Sequence, residues 1–302
     1  MRSVDYSRLQ AAFGPRFFRD EPLAKYTAAR LGGPADVLVV ARNISDLVLA
    51  ADFAWTNDLA YRILGGGANV LVADAGFRGL VIVNRAAGII IRADGAVRAE
   101  SGVSLSTLAR RCMKRGLVGL EWAVSIPGTV GGAAINNAGA HGGDMAGCVH
   151  EVVLHRPDGD EILTTAQMAY GYRTSALKGR GGRFVLTEVV LALRPGGDPA
   201  ALQAQAEAYV AHRKRTQPPG ASLGSIFKNP PGDYAGRLIE AAGLKGKRIG
   251  GVQISPVHAN FFVNLGEGTA ADYLALIRLA QETVARQFGI MLEPEIELIG
   301  EW

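Results

Sequence analysis

Cysteine is nearly absent. Of 302 residues only Cys112 and Cys148 carry thiols, a number and spacing that give neither a disulfide framework nor a metal-ligand pattern. Aromatic residues make up 7% and charged residues 20% of the chain. A long basic face with interleaved aromatics, the footprint of nucleic-acid binding, is therefore missing. The net charge of +4 is modest, and the tight basic cluster His212-Arg213-Lys214-Arg215 suits an anionic small ligand at least as well. No apolar run approaches the length of a membrane span. Met1 to Phe18 mixes Arg, Asp and Gln with scattered apolar residues and does not read as a signal peptide, which makes the cytoplasm the expected compartment.

Glycine, in contrast, is abundant at 39 residues, and it is gathered in loops instead of spread as low complexity. The window Gly119–Asp144 holds seven glycines, one proline and almost no charge. A backbone without Cβ atoms accepts positive φ and lets a ligand come close. Consecutive N–H groups in such a run form a concave donor nest for a diphosphate. The plainer reading is a tightly packed turn between two buried elements. A second run, Leu64-Gly65-Gly66-Gly67-Ala68-Asn69-Val70-Leu71-Val72, sets three glycines and an amide between two apolar segments. It has neither the dinucleotide fingerprint of the doubly wound fold nor the Lys-Ser/Thr ending of a P-loop. What remains is strand, glycine turn and strand, and two such loops can grip one extended dinucleotide from both sides.

Periodicity and turn chemistry divide the chain into three parts. Residues 1–85 read as a small αβ domain: a turn at Leu31–Asp36 feeds the strand Val37–Val40, Ser45 caps a helix over Asp46–Thr56, and strands follow at Tyr61–Leu64, Val70–Ala73 and Leu80–Asn84. Residues 86–199 are strand-rich. Hairpins are expected around Ala93-Asp94-Gly95 and Pro157-Asp158-Gly159, with a Ser104-capped helix over Leu105–Arg115 and a long strand at Val185–Leu193. Arg194-Pro195-Gly196-Gly197-Asp198-Pro199 breaks all periodicity. Residues 200–302 then read as an α+β domain, with helices over Ala200–Lys214 and Ala235–Ala242 and strands at Phe261–Leu265 and Ile296–Ile299. A long amphipathic helix capped by Asp272 lines up Tyr273, Ile277, Ala280, Val284 and Phe288.

Three residues stand out for chemistry, and each has a plain alternative. Ser225, between Gly224 and the pair Ile226-Phe227 and ahead of Lys228-Asn229-Pro230, is either a turn serine bonding its own backbone or a hydroxyl held beside a lysine. It is no nucleophile elbow, since G-x-S-x-G is absent. Arg173 is a surface ion-pair arginine or a cation in a site. Glu295 opens the expected last strand, where alternation with Glu297 makes it an outward carboxylate. Spacing alone does not pair the three.

These stretches together are similar to the UDP-N-acetylenolpyruvoylglucosamine reductase family. The likeness begins in the two glycine loops and continues through Tyr170-Gly171-Tyr172-Arg173-Thr174-Ser175, then Gly224–Pro230, then Leu292-Glu293-Pro294-Glu295-Ile296. It covers nearly the whole chain in order. The resemblance implies an α+β protein with a vanillyl-alcohol-oxidase-like (PCMH-type) FAD-binding fold of two subdomains and a C-terminal substrate domain. It implies an oxidoreductase that holds FAD non-covalently and uses NADPH as co-substrate to reduce a UDP-sugar enolpyruvyl ether. Implied FAD contacts are Gly65, Gly66, Gly67, Ala68, Asn69, Val70 and Leu71, then Ser125, Pro127, Gly128, Thr129, Gly131, Gly132, Asn136, Ala138 and Gly139. By the same resemblance Ser225 is the proton donor, Arg173 and Glu295 complete the catalytic set, and Tyr172, Arg213, Arg215, Lys228 and Asn229 contact the substrate. No metal, nucleic acid or membrane partner is implied, and a monomer or weak oligomer is expected.

The likeness also has a departure. Lys247 to Phe262 is too short for the segment that folds a tyrosine over the substrate in the longer subgroup of the family, so this chain is similar to the shorter subgroup. Two rival readings stay open on the sequence: an oxidase of the same flavin fold, and a nucleotide-sugar binder without turnover.

Overall fold

Valine- and isoleucine-rich runs bounded by Gly, Asn and Asp become strands, much as their composition dictates. The computed structural model describes residues 4–179 and 182–302, and the chain falls into two compact units. One comprises Met1–Arg19, Val37–Gly66 and Gly79–His212; the other comprises Asp20–Asp36, Gly67–Arg78 and Arg213–Trp302.

The first unit has two cores. A four-stranded sheet in the order Phe17–Pro22, Pro34–Ala41, Phe77–Asn84 and Tyr61–Leu64 supports one of them. Its last two strands run parallel, with Tyr61 opposite Leu80 and Leu64 opposite Val83. Against it the helix Ile44–Thr56 buries Leu47, Ala50, Ala51, Phe53, Ala54 and Trp55 among Val37, Val39, Leu80 and Ile82. This helix starts two residues earlier than expected. Asn43, not Ser45, is the N-cap, and its side chain accepts the Asp46 N–H at 2.8 Å, an arrangement worth about 1 kcal/mol.

A five-stranded antiparallel sheet supports the second core, in the order Gly159–Thr164, Val149–Arg156, Val185–Ala192, Ala96–Glu100 and Ile89–Ile91. Both expected hairpins form, at Ile89–Glu100 and at Val149–Thr164. Ser104 caps the helix Leu105–Met113, and Gly116 takes φ +67° just beyond its end. The helix Pro199–Thr216 sends Leu202 and Ala206 onto Met113 and Val124 in this same unit.

In the second unit, backbone hydrogen bonds knit the three sequence segments together. Val70–Val72 pairs in parallel with Glu297–Ile299. The carboxylate of Asp74 accepts both Ala270 N–H (2.8 Å) and Ala271 N–H (2.9 Å) at the start of the helix Ala270–Phe288. Asn264 donates through its amide to Ala29 O at 2.9 Å. That long helix is capped by Thr269 in a capping box with Asp272 at the third position, a one-turn correction to the expectation that Asp272 is itself the cap. Its face is as expected: Tyr273, Ile277, Ala280 and Val284 are buried, each large side chain contributing about 1.5–3 kcal/mol. Phe288 stays exposed at the end. Among the described residues no helix is long and apolar enough to cross a membrane, and no cluster of His, Cys, Asp and Glu is suited to a metal ion.

A cluster of polar contacts around His155 helps join the two cores of the first unit. His155, on the strand Val149–Arg156, stacks on Trp55 with ring centroids 5.4 Å apart. Its Nε2 lies 2.9 Å from Asp52 and its Nδ1 2.9 Å from Asp160. Both ring nitrogens then face acceptors, an arrangement that only the imidazolium satisfies fully. Partial burial pulls its pKa down, but the hydrogen bonds and charges of Asp52 and Asp160 together raise it above the ordinary value. A raised folded-state value stabilises the fold fully below the unfolded pKa of about 6.5, and the gain is lost as pH climbs through the folded value. Asp52→Asn is therefore expected to lower Tm at about pH 6 and to converge on the parent protein by about pH 9. Thermal unfolding of both proteins across that range checks this; a gap that widens with pH contradicts it.

Candidate functional site

Residues of the first unit bring the two glycine runs into direct contact. A Cβ at Gly66 would lie 2.7 Å from Gly128 Cα, and one at Gly65 would lie 2.3 Å from Thr129 Oγ1. Neither approach is open to any residue with a side chain. Gly128 itself takes φ +109°. The loop continues through the short helix Val130–Asn136, which the sequence reading missed because its glycines and alanines carry no helical stripe. Thr129 caps it by accepting the Gly132 N–H, while Val130 N–H and Gly131 N–H donate to Val103 O and Ser101 O. The glycine at 131 thus answers a packing need, since a Cβ there would sit 2.7 Å from the Ser101 side chain. A nest made of every amide in this run does not form.

Two buried side-chain oxygens in this region have no hydrogen-bond partner: Ser125 Oγ and Asn136 Oδ1. Both belong to the residues expected to touch FAD, and buried polar atoms left without partners in a native chain call for a ligand or solvent. The site thus fits a polar cofactor laid along Gly65–Gly66 and Ser125–Asn136. Attachment through sulfur has no support. Desolvation pushes the Cys112 and Cys148 thiols up to about 12, far from the thiolate that would be the nucleophile.

Arg173 is fixed to the same loop. Its guanidinium donates to Gly139 O at 2.8 Å and to Asn137 O at 3.4 Å, and its ring-face contact with Tyr172 spans 5.4 Å. Arg173 and Asn137 both take positive φ, 56° and 45°, a strained conformation for non-glycine residues that clusters at functional sites. Asn137 compensates: its amide donates to Gly171 O at 2.9 Å and its oxygen accepts Ala146 N–H at 2.9 Å. Ala138 and Gly139 lie in this turn, half-buried, and Tyr172 is 56% exposed. His141, two residues on, stacks flat on Tyr209 at 4.1 Å.

The other expected residues gather in the second unit. Gly67, with φ +60°, leads through Ala68 to Asn69, whose amide donates to Glu295 O at 3.2 Å. Val70 and Leu71 pair with Glu297 and Leu298. Glu295 precedes the strand, which begins at Glu297, so the alternation that made it an outward strand carboxylate does not apply. Its N–H donates instead to Ile226 O at 2.8 Å, which sets the Glu295 backbone against the residue that follows Ser225. Ser225 ends the strand Ala221–Ser225. Lys228 is less open than a lone cation: its Nζ lies 2.6 Å from Glu293. Asn229 accepts Ala235 N–H through its side chain at 3.1 Å. Arg213 and Arg215 are two positions apart on a helix and do not face one another. Arg213 is half-buried, and desolvation lowers its pKa; Arg215 is exposed. Pro127 and Gly132 are exposed, near the packed glycines.

Gly66→Val is expected to leave the far-ultraviolet circular dichroism unchanged and to weaken FAD binding at least tenfold, read by flavin absorbance after gel filtration. Acid precipitation of the parent protein should leave the yellow colour in the supernatant. Full flavin content in Gly66→Val, or colour retained in the pellet, contradicts the assignment.

Comparison with known proteins identifies the family. Residues 35–164 match the FAD binding domain family, and residues 215–299 match the UDP-N-acetylenolpyruvoylglucosamine reductase C-terminal domain. UDP-N-acetylenolpyruvoylglucosamine reductase 2 of Symbiobacterium thermophilum is 47% identical over 290 residues, spanning 94% of this chain and 92% of that protein. The reductase of Chloroflexus aggregans is 42% identical over 287 residues, spanning 93% and 96%. The crystal structure of the Thermus caldophilus reductase superposes with a TM-score of 0.79 at 34% identity, covering 93% of this chain and 98% of that one. The fold is the α+β, vanillyl-alcohol-oxidase-like FAD-binding fold, and the chain belongs to the UDP-N-acetylenolpyruvoylglucosamine reductase family of flavoenzymes.

Proposed function

We propose that this enzyme reduces UDP-N-acetylglucosamine enolpyruvate to UDP-N-acetylmuramate with NADPH, a cytoplasmic step of peptidoglycan precursor synthesis. The observation that carries this reading is the pairing of Ser225 and Glu295 segments in the second unit: Glu295 N–H on Ile226 O, and Lys228 N–H on Glu293 O at 2.9 Å. A hydroxyl, a carboxyl and an ammonium are thereby held on adjacent backbone segments, a set of groups that a passive binder does not need.

The reaction asks for a hydride at one carbon of the enolpyruvyl double bond and a proton at its neighbour. When bound, FAD would supply the hydride chemistry, with NADPH as the reductant. Ser125 and Asn136 would hold the cofactor through the buried oxygens described above. After hydride addition, negative charge accumulates on the carbon next to the substrate carboxylate. Donors aimed at that charge lower the barrier because they need no reorganisation as it develops. Arg173, its guanidinium already fixed by Asn137 and Gly139, supplies one cationic donor. Glu295, donating from its carboxylic acid form, supplies another. Ser225 gives the proton. Lys228, Asn229, Tyr172, Arg213 and Arg215 are assigned to the nucleotide-sugar, with Arg213 the better placed arginine because it is half-buried.

Two half-reactions separate these roles. Ser225→Ala should retain FAD and be bleached by NADPH at a near-normal rate. Reoxidation by the enolpyruvyl sugar nucleotide should slow by about 10²–10⁴-fold, the usual worth of a positioned general acid. Glu295→Gln, which keeps a hydrogen-bond donor, should lose less than Glu295→Ala. Stopped-flow absorbance of the flavin follows both halves. Equal slowing of both in Ser225→Ala would return Ser225 to a structural turn serine, and rapid reoxidation by oxygen without need of NADPH would favour an oxidase.

A further inference from the structure

Asn260 is 3% exposed and lies outside every motif used above. It sits just before the strand Phe261–Asn264, which pairs antiparallel with Ala221–Ser225. The register of that pair steps from Ser222 opposite Val263 to Ser225 opposite Phe261. Three residues on one strand answer two on the other, with Gly224 at φ +76°. This is a β-bulge, a device that re-aims the side chain beside it. Ser225 is that side chain.

Beyond Ser225 the ladder would end, but Asn260 prolongs it. Its main-chain carbonyl accepts Ile226 N–H at 2.9 Å. Its side-chain oxygen accepts Phe227 N–H at 3.0 Å, and its side-chain amide donates to Phe227 O at 2.8 Å. The primary amide thus imitates a peptide group of a neighbouring strand. On the opposite edge Glu295 N–H and Lys228 N–H donate to Ile226 O and Glu293 O. Ile226 and Phe227 are both buried, so the backbone immediately after Ser225 is clamped from two sides. The Asn260 N–H in turn donates to Nδ1 of His258 at 3.2 Å.

From this we propose that Asn260 is a positioning residue for proton delivery: by pairing with both polar groups of Phe227, it fixes where the Ser225 hydroxyl points relative to the Glu295 segment. The inference rests on the proposed role of Ser225. It assigns Asn260 no contact with substrate. Its effect is geometric, and misplacing a reacting group by about 1 Å costs on the order of 10²-fold.

The test uses the full-length holoenzyme. Asn260→Ala removes both bonds to Phe227. Asn260→Asp keeps the volume and the acceptor for Phe227 N–H but sets a carboxylate oxygen against Phe227 O, and it serves if Asn260→Ala does not fold. Either variant is expected to be bleached by NADPH at a near-normal rate and reoxidised by the enolpyruvyl substrate roughly 10–100-fold more slowly, with a larger solvent deuterium isotope effect on that half. In the double variant with Ser225→Ala, the slowing should not exceed that of Ser225→Ala alone. Hydrogen–deuterium exchange on protein stripped of flavin should show faster exchange at Ile226 and Phe227, a readout independent of turnover. Multiplying effects in the double variant, an unchanged isotope effect, or unchanged exchange at Phe227 would overturn the proposal while leaving Ser225 as the donor. Equal slowing of both halves in Ser225→Ala alone would overturn the role of Ser225 and this inference with it.

Discussion

The functional segments of this enzyme are irregular backbone in partly buried surroundings, and every N–H and C=O buried there needs a partner. Regular ladders cannot supply one at a glycine turn or a strand end. Side-chain amides and carboxylates supply it instead. Asn137 braces the Arg173 turn, Asn260 the strand after Ser225, Asn264 the carbonyl of Ala29, and Asn69 the carbonyl of Glu295. Asp74 closes the start of the Ala270–Phe288 helix, and Asn84 pairs with Ser101 at 2.8 Å. Losing one partner of such a pair leaves a desolvated group, which costs about 1–3 kcal/mol. These side chains thus hold shapes that hydrophobic burial alone does not specify.

The roles proposed for Arg173 and Ser225 draw on the same constraint. A general acid and an electrostatic stabiliser are effective when they need not move as charge develops. Arg173 is strained at positive φ and held by two carbonyls, while Ser225 follows a bulge and precedes a clamped pair of residues. Local strain of this kind persists only where surrounding contacts over-determine it. The helices and sheets provide that rigidity: Tyr273, fully buried, donates its hydroxyl to Phe262 O at 2.9 Å and ties the long helix to the sheet that carries Ser225.

Glycine plays two separate parts in the loops. At Gly66 the missing Cβ lets the chain meet the backbone of Gly128, which itself takes φ +109°. At Gly131 it relieves a contact with Ser101 inside the fold. The sequence presents both runs simply as glycine-rich loops, yet one position serves the meeting of the two runs and the other serves packing of the unit.

Much of the scaffold was written in the sequence. Turn signals marked both hairpins and a long apolar run marked the Val185–Ala192 strand, Ser104 and Gly116 bracketed their helix, and the face of Tyr273, Ile277, Ala280 and Val284 turned inward, because turn chemistry, capping and helical period are local properties. The caps at Asn43 and Thr269 were misplaced by two and three positions for the same reason: several nearby polar residues satisfy the local rule, and packing selects one. The catalytic candidates were legible as motifs, but not their partners. Nothing within reach of Lys228 in sequence announces Glu293, and an asparagine ahead of an apolar strand at 260 looks like any turn residue. Those pairings join residues tens to hundreds of positions apart, so they exist only once the strands are in register. The sequence determined which groups this protein has available; the tertiary structure alone decided which of them share a hydrogen bond.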